Sequence, residues 1–191
     1  MIKEISRVTK ETNIRLKANL QGTGKSDINT GIGFFDHMLE AFSKHSFIDL
    51  DITCKGDLHV DFHHSVEDVG IVLGDILREM IYPVQNVERF ADSVVVMDEA
   101  AVECDIDLSN RAYLVFDLGI NGKIGNFDVE LCEEFFRAVA MNAGISLHIV
   151  KLRGKNLHHI VEAAFKAFAV SLRRALRENS RAGTPSTKGV L

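Results

Sequence analysis

The chain has little with which to cross-link itself, cross a membrane or grip a polyanion. Its three cysteines, Cys54, Cys104 and Cys132, are odd in number, far apart and set in segments of apolar periodicity. That argues for buried free thiols and against disulfides or a thiolate metal site. No apolar run approaches membrane-spanning length, and the opening Met1-Ile2-Lys3-Glu4 does not read as a signal peptide. A cytoplasmic protein with no membrane partner is expected. Its 22 Lys and Arg stand against 27 Asp and Glu, a formal net charge of −5, and the basic residues are scattered. Without a basic stripe interleaved with aromatics, no nucleic-acid partner is expected. The only two prolines, Pro83 and Pro185, fall outside the periodic segments, at a seam and in a polar tail.

What is present is a repeated pattern of metal-binding residues. His63-His64-Ser65-Val66-Glu67 in the first half is matched by His158-His159-Ile160-Val161-Glu162 in the second. Each copy is followed by apolar residues at helical spacing, Val66/Val69/Leu73/Ile76/Leu77/Met80 and Val161/Ala164/Phe165/Phe168/Leu172, so each HHxxE opens a helix. At about 100° per residue, the first His and the Glu four positions on lie within about 40° of each other and can share an ion, while adjacent histidines diverge by about 100°. One copy therefore suits two different metals. A single copy could equally be the polar first turn of an amphipathic helix; two at corresponding places make coincidence a poor account.

The correspondence extends upstream. Phe34-Phe35-Asp36-His37-Met38-Leu39 falls opposite Leu131-Cys132-Glu133-Glu134-Phe135-Phe136, with 26 residues from His37 to His63 and 24 from Glu134 to His158. Between them lie alternating segments, Ile48/Leu50/Ile52/Cys54 and Ile145/Leu147/Ile149, ending in Lys55-Gly56-Asp57 and Arg153-Gly154-Lys155, which read as strand then turn. His37 and Glu134 thus become equivalent candidate ligands, although Glu134 by itself reads as a solvated helix glutamate.

The expected fold class is α+β: an internal duplication of two ββαβα half-domains, with mixed sheets packed on four helices. Ile14/Leu16/Ala18/Leu20 forms a half-buried strand, with Ile5 to Val8 as its hairpin partner, ending at the turn Gly22-Thr23-Gly24-Lys25-Ser26. A helix over about Phe34 to Lys44, the strand Ile48 to Cys54 and the helix after His63 complete the first half. The second runs Val94 to Asp107 as a strand, Ala112 to Leu118 as another, a helix near Val129 to Asn142, strand Ile145 to Leu152 and a final helix from His158 to about Glu178. At 191 residues and 46% hydrophobic content, one domain over 1–191 is expected, because two halves (about 1–88 and 89–180) bury more together than apart. A tail over about 181–191 follows.

At this resolution of detail the chain resembles one family, imidazoleglycerol-phosphate dehydratase. The resemblance is carried by Arg7-x-Thr9-x-Glu11-Thr12, the run Thr30 to Leu39, Gly56-Asp57-Leu58-His59-Val60-Asp61-x-His63-His64-x-x-Glu67-Asp68, Met97-Asp98-Glu99-Ala100, Asp107-Leu108-Ser109-x-Arg111, the stretch Gly154 to Ala167, and Ser186-Thr187-Lys188-Gly189. It spans nearly the whole chain. It implies an enzyme of histidine biosynthesis with two Mn²⁺ per active site, which dehydrates D-erythro-imidazole-glycerol phosphate to imidazole-acetol phosphate. It also implies sites completed by neighbouring subunits of a homo-oligomer, 24 subunits built from trimers. Many members carry His where this chain has Glu134; a carboxylate is an ordinary, harder Mn²⁺ ligand, so a more anionic manganese site is expected. Some members have a fused phosphatase domain, and here only the dehydratase reaction is expected.

The resemblance and the repeat together suggest the metal ligands His37, His64, His158 and Glu162 for one ion and Glu134, His159, His63 and Glu67 for the other. The set contains no thiolate, against a closed structural zinc site. Asp36, Asp61 and Asp68 sit beside these histidines and are either their hydrogen-bond partners or solvent-facing caps. The hydrogen removed from such a substrate is not acidified by a carbonyl. An imidazole held by both nitrogens on metals could expel the adjacent hydroxyl through a diazafulvene-like species. Glu11 is the candidate base, and Glu67 and Glu162 are grouped with it as catalytic. His37, His63, Glu67 and, after the first helix, His45 are expected to touch substrate. The family pattern points to Arg89, Arg111, Lys166, Ser186, Thr187 and Lys188 for the phosphate. His59 and His148 are read as structural, in strands. A dinuclear metallohydrolase acting on a phosphorylated small molecule is the competing reading.

Overall fold

The computed structural model describes residues 1–189, so Val190 and Leu191, the end of the expected tail, lie outside the described residues. Each half begins with a hairpin, β1 (Ile2–Val8) with β2 (Thr12–Asn19), and β5 (Phe90–Met97) with β6 (Ala100–Asp107). A short strand follows, β3 (Ser26–Asn29) or β7 (Tyr113–Asp117), then a helix, α1 (Gly33–Ser46) or α3 (Leu131–Ala143). Strands β4 (Asp49–Gly56) and β10 (Ser146–Arg153) lead into the long helices α2 (His63–Ile81) and α4 (Leu157–Ala175). A two-stranded ribbon, β8 (Lys123–Ile124) with β9 (Phe127–Asp128), is inserted before α3. The two four-stranded sheets have matching orders, β1-β2-β4-β3 and β5-β6-β10-β7. In each, the fourth-listed strand runs parallel to its neighbour and the rest are antiparallel.

The duplicated α+β architecture with mixed sheets and four helices is as expected, but each sheet has one strand more, and the second half also adds the β8–β9 ribbon. The stretch Val94 to Asp107 is not one strand: it turns back at Asp98, whose φ is +49°, and Met97 pairs with Ala100. With no glycine or proline at the bend, the alternation runs through it unmarked. In the first half, β3 begins at Ser26, where only a turn was expected. Ser-Asp-Ile-Asn shows no alternation, and it is a strand because β4 offers it a parallel edge. Helix α4 stops at Ala175, short of Glu178, because Glu178 bridges to Val87 and Asn179 N donates to Asn86 O.

The helices lie between the sheets, α2 against β1 and β2, α4 against β5 and β6, with α1 packed on α4 and α2 on α3. Phenylalanines join the halves. Phe42 stacks on Phe168 at 5.1 Å and Phe35 meets Phe135 edge-on at 5.3 Å, and within the second half Phe165 lies 4.8 Å from Phe136, all fully buried. His37 beside His158 and Phe42 beside Phe168 show α1 and α4 running in the same direction. Gly70 faces Phe135 and Ala138, and Gly74 faces Val139 and Asn142, so α2 and α3 do likewise. Phe34 touches both His158 and Phe127, and Asn126 lines one cavity with His63, which brings all four helix N-termini to one pole. That pole collects the positive ends of four helix dipoles, where carboxylates are favoured.

Candidate metal and substrate site

The turn before α4 is shaped by Gly154, at φ +132°, where a Cβ would lie 2.8 Å from that of Ala100. Asn156 then caps the helix, its side chain accepting from the backbone N–H groups of His158 and His159. At the start of α2, Asp61 accepts from His63 N at 2.8 Å. Both HHxxE copies thus sit in a helix's first turn, as expected.

His37 of α1 and His158 and Glu162 of α4 converge, with one ligand atom from each lying within 4.8 Å of the others. His158 Nε2 is 3.1 Å and His37 Nε2 is 3.4 Å from Glu162 Oε2, while Lys166 Nζ lies 2.6 Å from Glu162 Oε1. Burial works against the Glu162 charge, but the Lys166 ammonium and His158 hold its carboxyl below the usual range. Two imidazoles and a carboxylate without a thiolate form a donor set suited to Mn²⁺.

The counterpart in the other helix pair is looser. His63 Nε2 is 3.8 Å from Glu67 Oε2, and the Glu134 carboxylate lies 3.7 Å from Arg137 Nε. Because Gly70 packs at the level of Phe135 and Ala138 on a parallel helix, one turn back brings Glu67 level with Glu134. Among the described residues, Glu134 does not complete a three-ligand cluster within one chain.

His64 and His159 do not join either set within the chain. His64 Nδ1 is 3.0 Å from Asp57 Oδ2, and its Nε2 is 3.7 Å from Glu11 Oε1. His159 Nδ1 is 2.7 Å from Glu99 Oε2, and its Nε2 is 3.7 Å from Asp98. Hydrogen bonding to Asp57 raises the His64 pKa, hydrogen bonding to Glu99 raises that of His159, and His159 with two backbone N–H groups brings Glu99 down to about 2. A carboxylate on Nδ1 leaves Nε2 as the ligand nitrogen.

The carboxylate partners of these histidines are therefore Asp57 and Glu99, residues given no role in the sequence reading. Asp36 instead accepts from Thr30 N and Oγ1, Asp61 accepts from the backbone N–H of His63, and Asp68 binds Arg7 and Thr12. Glu99 lies 60 residues from His159 in sequence and Asp57 seven before His64; both fall in the stretches that carry the family resemblance, but no local spacing pairs either with its histidine.

The expected phosphate residues divide between two poles. Lys166 is with the His37 cluster. Arg89 is at the far end of α4, its N–H donating to Ala175 O, its guanidinium paired with Asp107 and donating to Pro185 O at 2.6 Å. Arg111 reaches the same Asp107 at 3.7 Å, and Pro185 brings Ser186, Thr187 and Lys188 to that pole. His45 is half-buried near Lys166 and Arg173, and burial and those two cations lower its pKa. His59 lies in an exposed turn, not a strand, and His148 is on the exposed face of β10.

A family model described as imidazoleglycerol-phosphate dehydratase matches residues 30–172. The chain is 66% identical, over all 191 residues and 98% of the relative, to the imidazoleglycerol-phosphate dehydratase of Campylobacter curvus. It is 68% identical to that of Campylobacter hominis over the full length of both. The crystal structure of the Staphylococcus aureus enzyme superposes with a TM-score of 0.85 at 40% identity, covering 94% of this chain and 100% of that one. The Pyrococcus furiosus enzyme in complex with (S)-C348 also gives 0.85, at 41% identity, over 98% of this chain and 100% of that one. Matches of this extent, over the same duplicated fold, mean that the chain belongs to the imidazoleglycerol-phosphate dehydratase family, a family of hydro-lyases.

Proposed function

We propose that this protein dehydrates D-erythro-imidazole-glycerol phosphate to imidazole-acetol phosphate in histidine biosynthesis in the cytoplasm, using two manganese ions per site. The observation that carries the reading is the convergence of His37, His158 and Glu162, with His63, Glu67 and Glu134 at the equivalent places of the other helix pair. Those two sets would each hold one ion, and His64 and His159, presented through Nε2, would complete sets on neighbouring copies. Bound manganese would supply Lewis acidity and a template for the substrate imidazole. Glu11, beside His64, would take the proton from the carbon next to the one that loses hydroxide, and the resulting enol would tautomerise to the ketone.

The separation of the metal ligands from Arg89 supports a site shared between copies. His158 and Ala175 are 17 residues apart on α4, about 25 Å at 1.5 Å per residue. A small phosphorylated imidazole cannot span that within one chain. Arg89, Arg111 and the tail would instead hold the phosphate of a substrate whose ring is bound elsewhere in the assembly, read as 24 copies built from trimers.

The test is turnover by metal-stripped protein with each divalent ion added back. Manganese-restored dehydration is expected. Protein that leaves this substrate unchanged but hydrolyses phosphate esters would establish the metallohydrolase instead.

A further inference from the structure

The two halves fasten their hairpins differently, and the difference centres on one buried carboxylate. Asp68 follows Glu67 on α2 and is 6% exposed. Its Oδ1 accepts from Arg7 Nε at 3.2 Å and Nη2 at 3.0 Å, and its Oδ2 accepts from Thr12 Oγ1 at 2.5 Å. Arg7 and Thr12 lie on opposite legs of the β1–β2 hairpin, so one helix carboxylate clamps both. Between the legs, Thr9 Oγ1 accepts from the backbone N–H groups of Glu11 at 3.1 Å and Thr12 at 2.9 Å. The Glu11 carbonyl accepts from Asp57 N at 3.1 Å. The Glu11 backbone is held on both sides while its side chain stays 53% exposed, 3.7 Å from His64.

In the second half the position equivalent to Asp68 is Ala163, which is fully buried. There the hairpin carboxylate fastens the turn itself: Glu99 accepts from Lys155 N and Asn156 N and meets His159 Nδ1. In the first half Asp57 orients the histidine and Asp68 anchors the hairpin, so Glu11 has neither duty.

We propose that Asp68 is a positioning residue for the dehydration, acting through Arg7 and Thr12 to hold Glu11 where it takes the substrate proton. This rests on the reading of Glu11 as base. A buried acid that merely stabilised the fold would cost activity independently of Glu11; a positioning residue would not.

Asp68→Asn and Thr12→Val, alone and combined with Glu11→Gln, would be assayed as manganese-loaded protein. Each alone is expected to lower kcat about 10²-fold, the scale of an ångström-level misplacement, with KM and manganese content unchanged. Neither should lower it further in the Glu11→Gln background, and amide exchange at Glu11 and Thr12 should quicken in both. If Asp68→Asn loses manganese, if its loss multiplies that of Glu11→Gln, or if exchange is unchanged, the positioning role is overturned while Glu11 remains the base. If Glu11→Gln matches wild type, the base assignment is what fails, and the positioning role falls with it.

Discussion

At the scale of the residue, Glu134 decides whether the second metal set is real. Its neighbourhood is an acidic helix face, Glu133 pairing with Arg137 at 2.5 Å, and only alignment with His37 singles it out. Glu134→Ala should lose bound manganese and activity, and Glu134→His should retain much of both, since imidazole also suits the ion. Glu133→Ala, turned about 100° around the helix, should keep two ions by metal analysis. Asp49 makes a prediction about pH. Its carboxylate accepts from the backbone N–H groups of Lys25 and Thr23, which hold its pKa below the usual range. A carboxyl depressed on folding stabilises above its unfolded pKa of about 3.9, and that stability is lost as pH falls through the folded value. Asp49→Asn should therefore lower the denaturation midpoint at pH 7, because a charged acceptor is replaced by a neutral one, by an amount that solvent screening keeps small. In denaturant titrations, the gap between the two proteins should close as pH falls through the depressed folded value of Asp49.

At the scale of the element, two glycines set the spacing of α2 and α3. A Cβ at Gly70 would lie 2.9 Å from both Ala138 Cβ and Phe135 O, and one at Gly74 would lie 2.7 Å from Asn142 Cβ and 2.9 Å from Val139 O. Backbone atoms cannot swing aside, so overpacking of about 1–3 kcal/mol per site should outweigh the roughly 1 kcal/mol helix-propensity gain of alanine. Gly70→Ala/Gly74→Ala should lower the unfolding midpoint and, by pushing Glu67 from Glu134, the manganese content. Gly33→Ala, with open space around it, should do neither. The strand β2 and the helices α2 and α4 were legible because burial repeats at two or at 3.6 residues along each of them. The β5–β6 bend and the strand β3 were not, because a bend without glycine and a polar four-residue strand leave no period to read.

At the scale of the whole molecule, metal and assembly should be linked. Without ions, Glu67 and Glu134, level with each other at one pole, and the outward His64 and His159 lose the charge that would join copies. Chelation should yield smaller oligomers and Mn²⁺ should restore the large one. Light scattering that detects no change after verified metal loss would refute the link. By itself the sequence determined the duplication, the HHxxE faces and the equivalence of His37 with Glu134, because spacing along a helix is set by covalent geometry. Only the tertiary structure decided that Asp57 and Glu99 orient His64 and His159, that Asp68 holds a hairpin, and that Arg89 stands at the opposite end of α4 from His158. Those relations join residues far apart in the chain or at opposite ends of one helix, and chain folding, which no local period encodes, sets their distances.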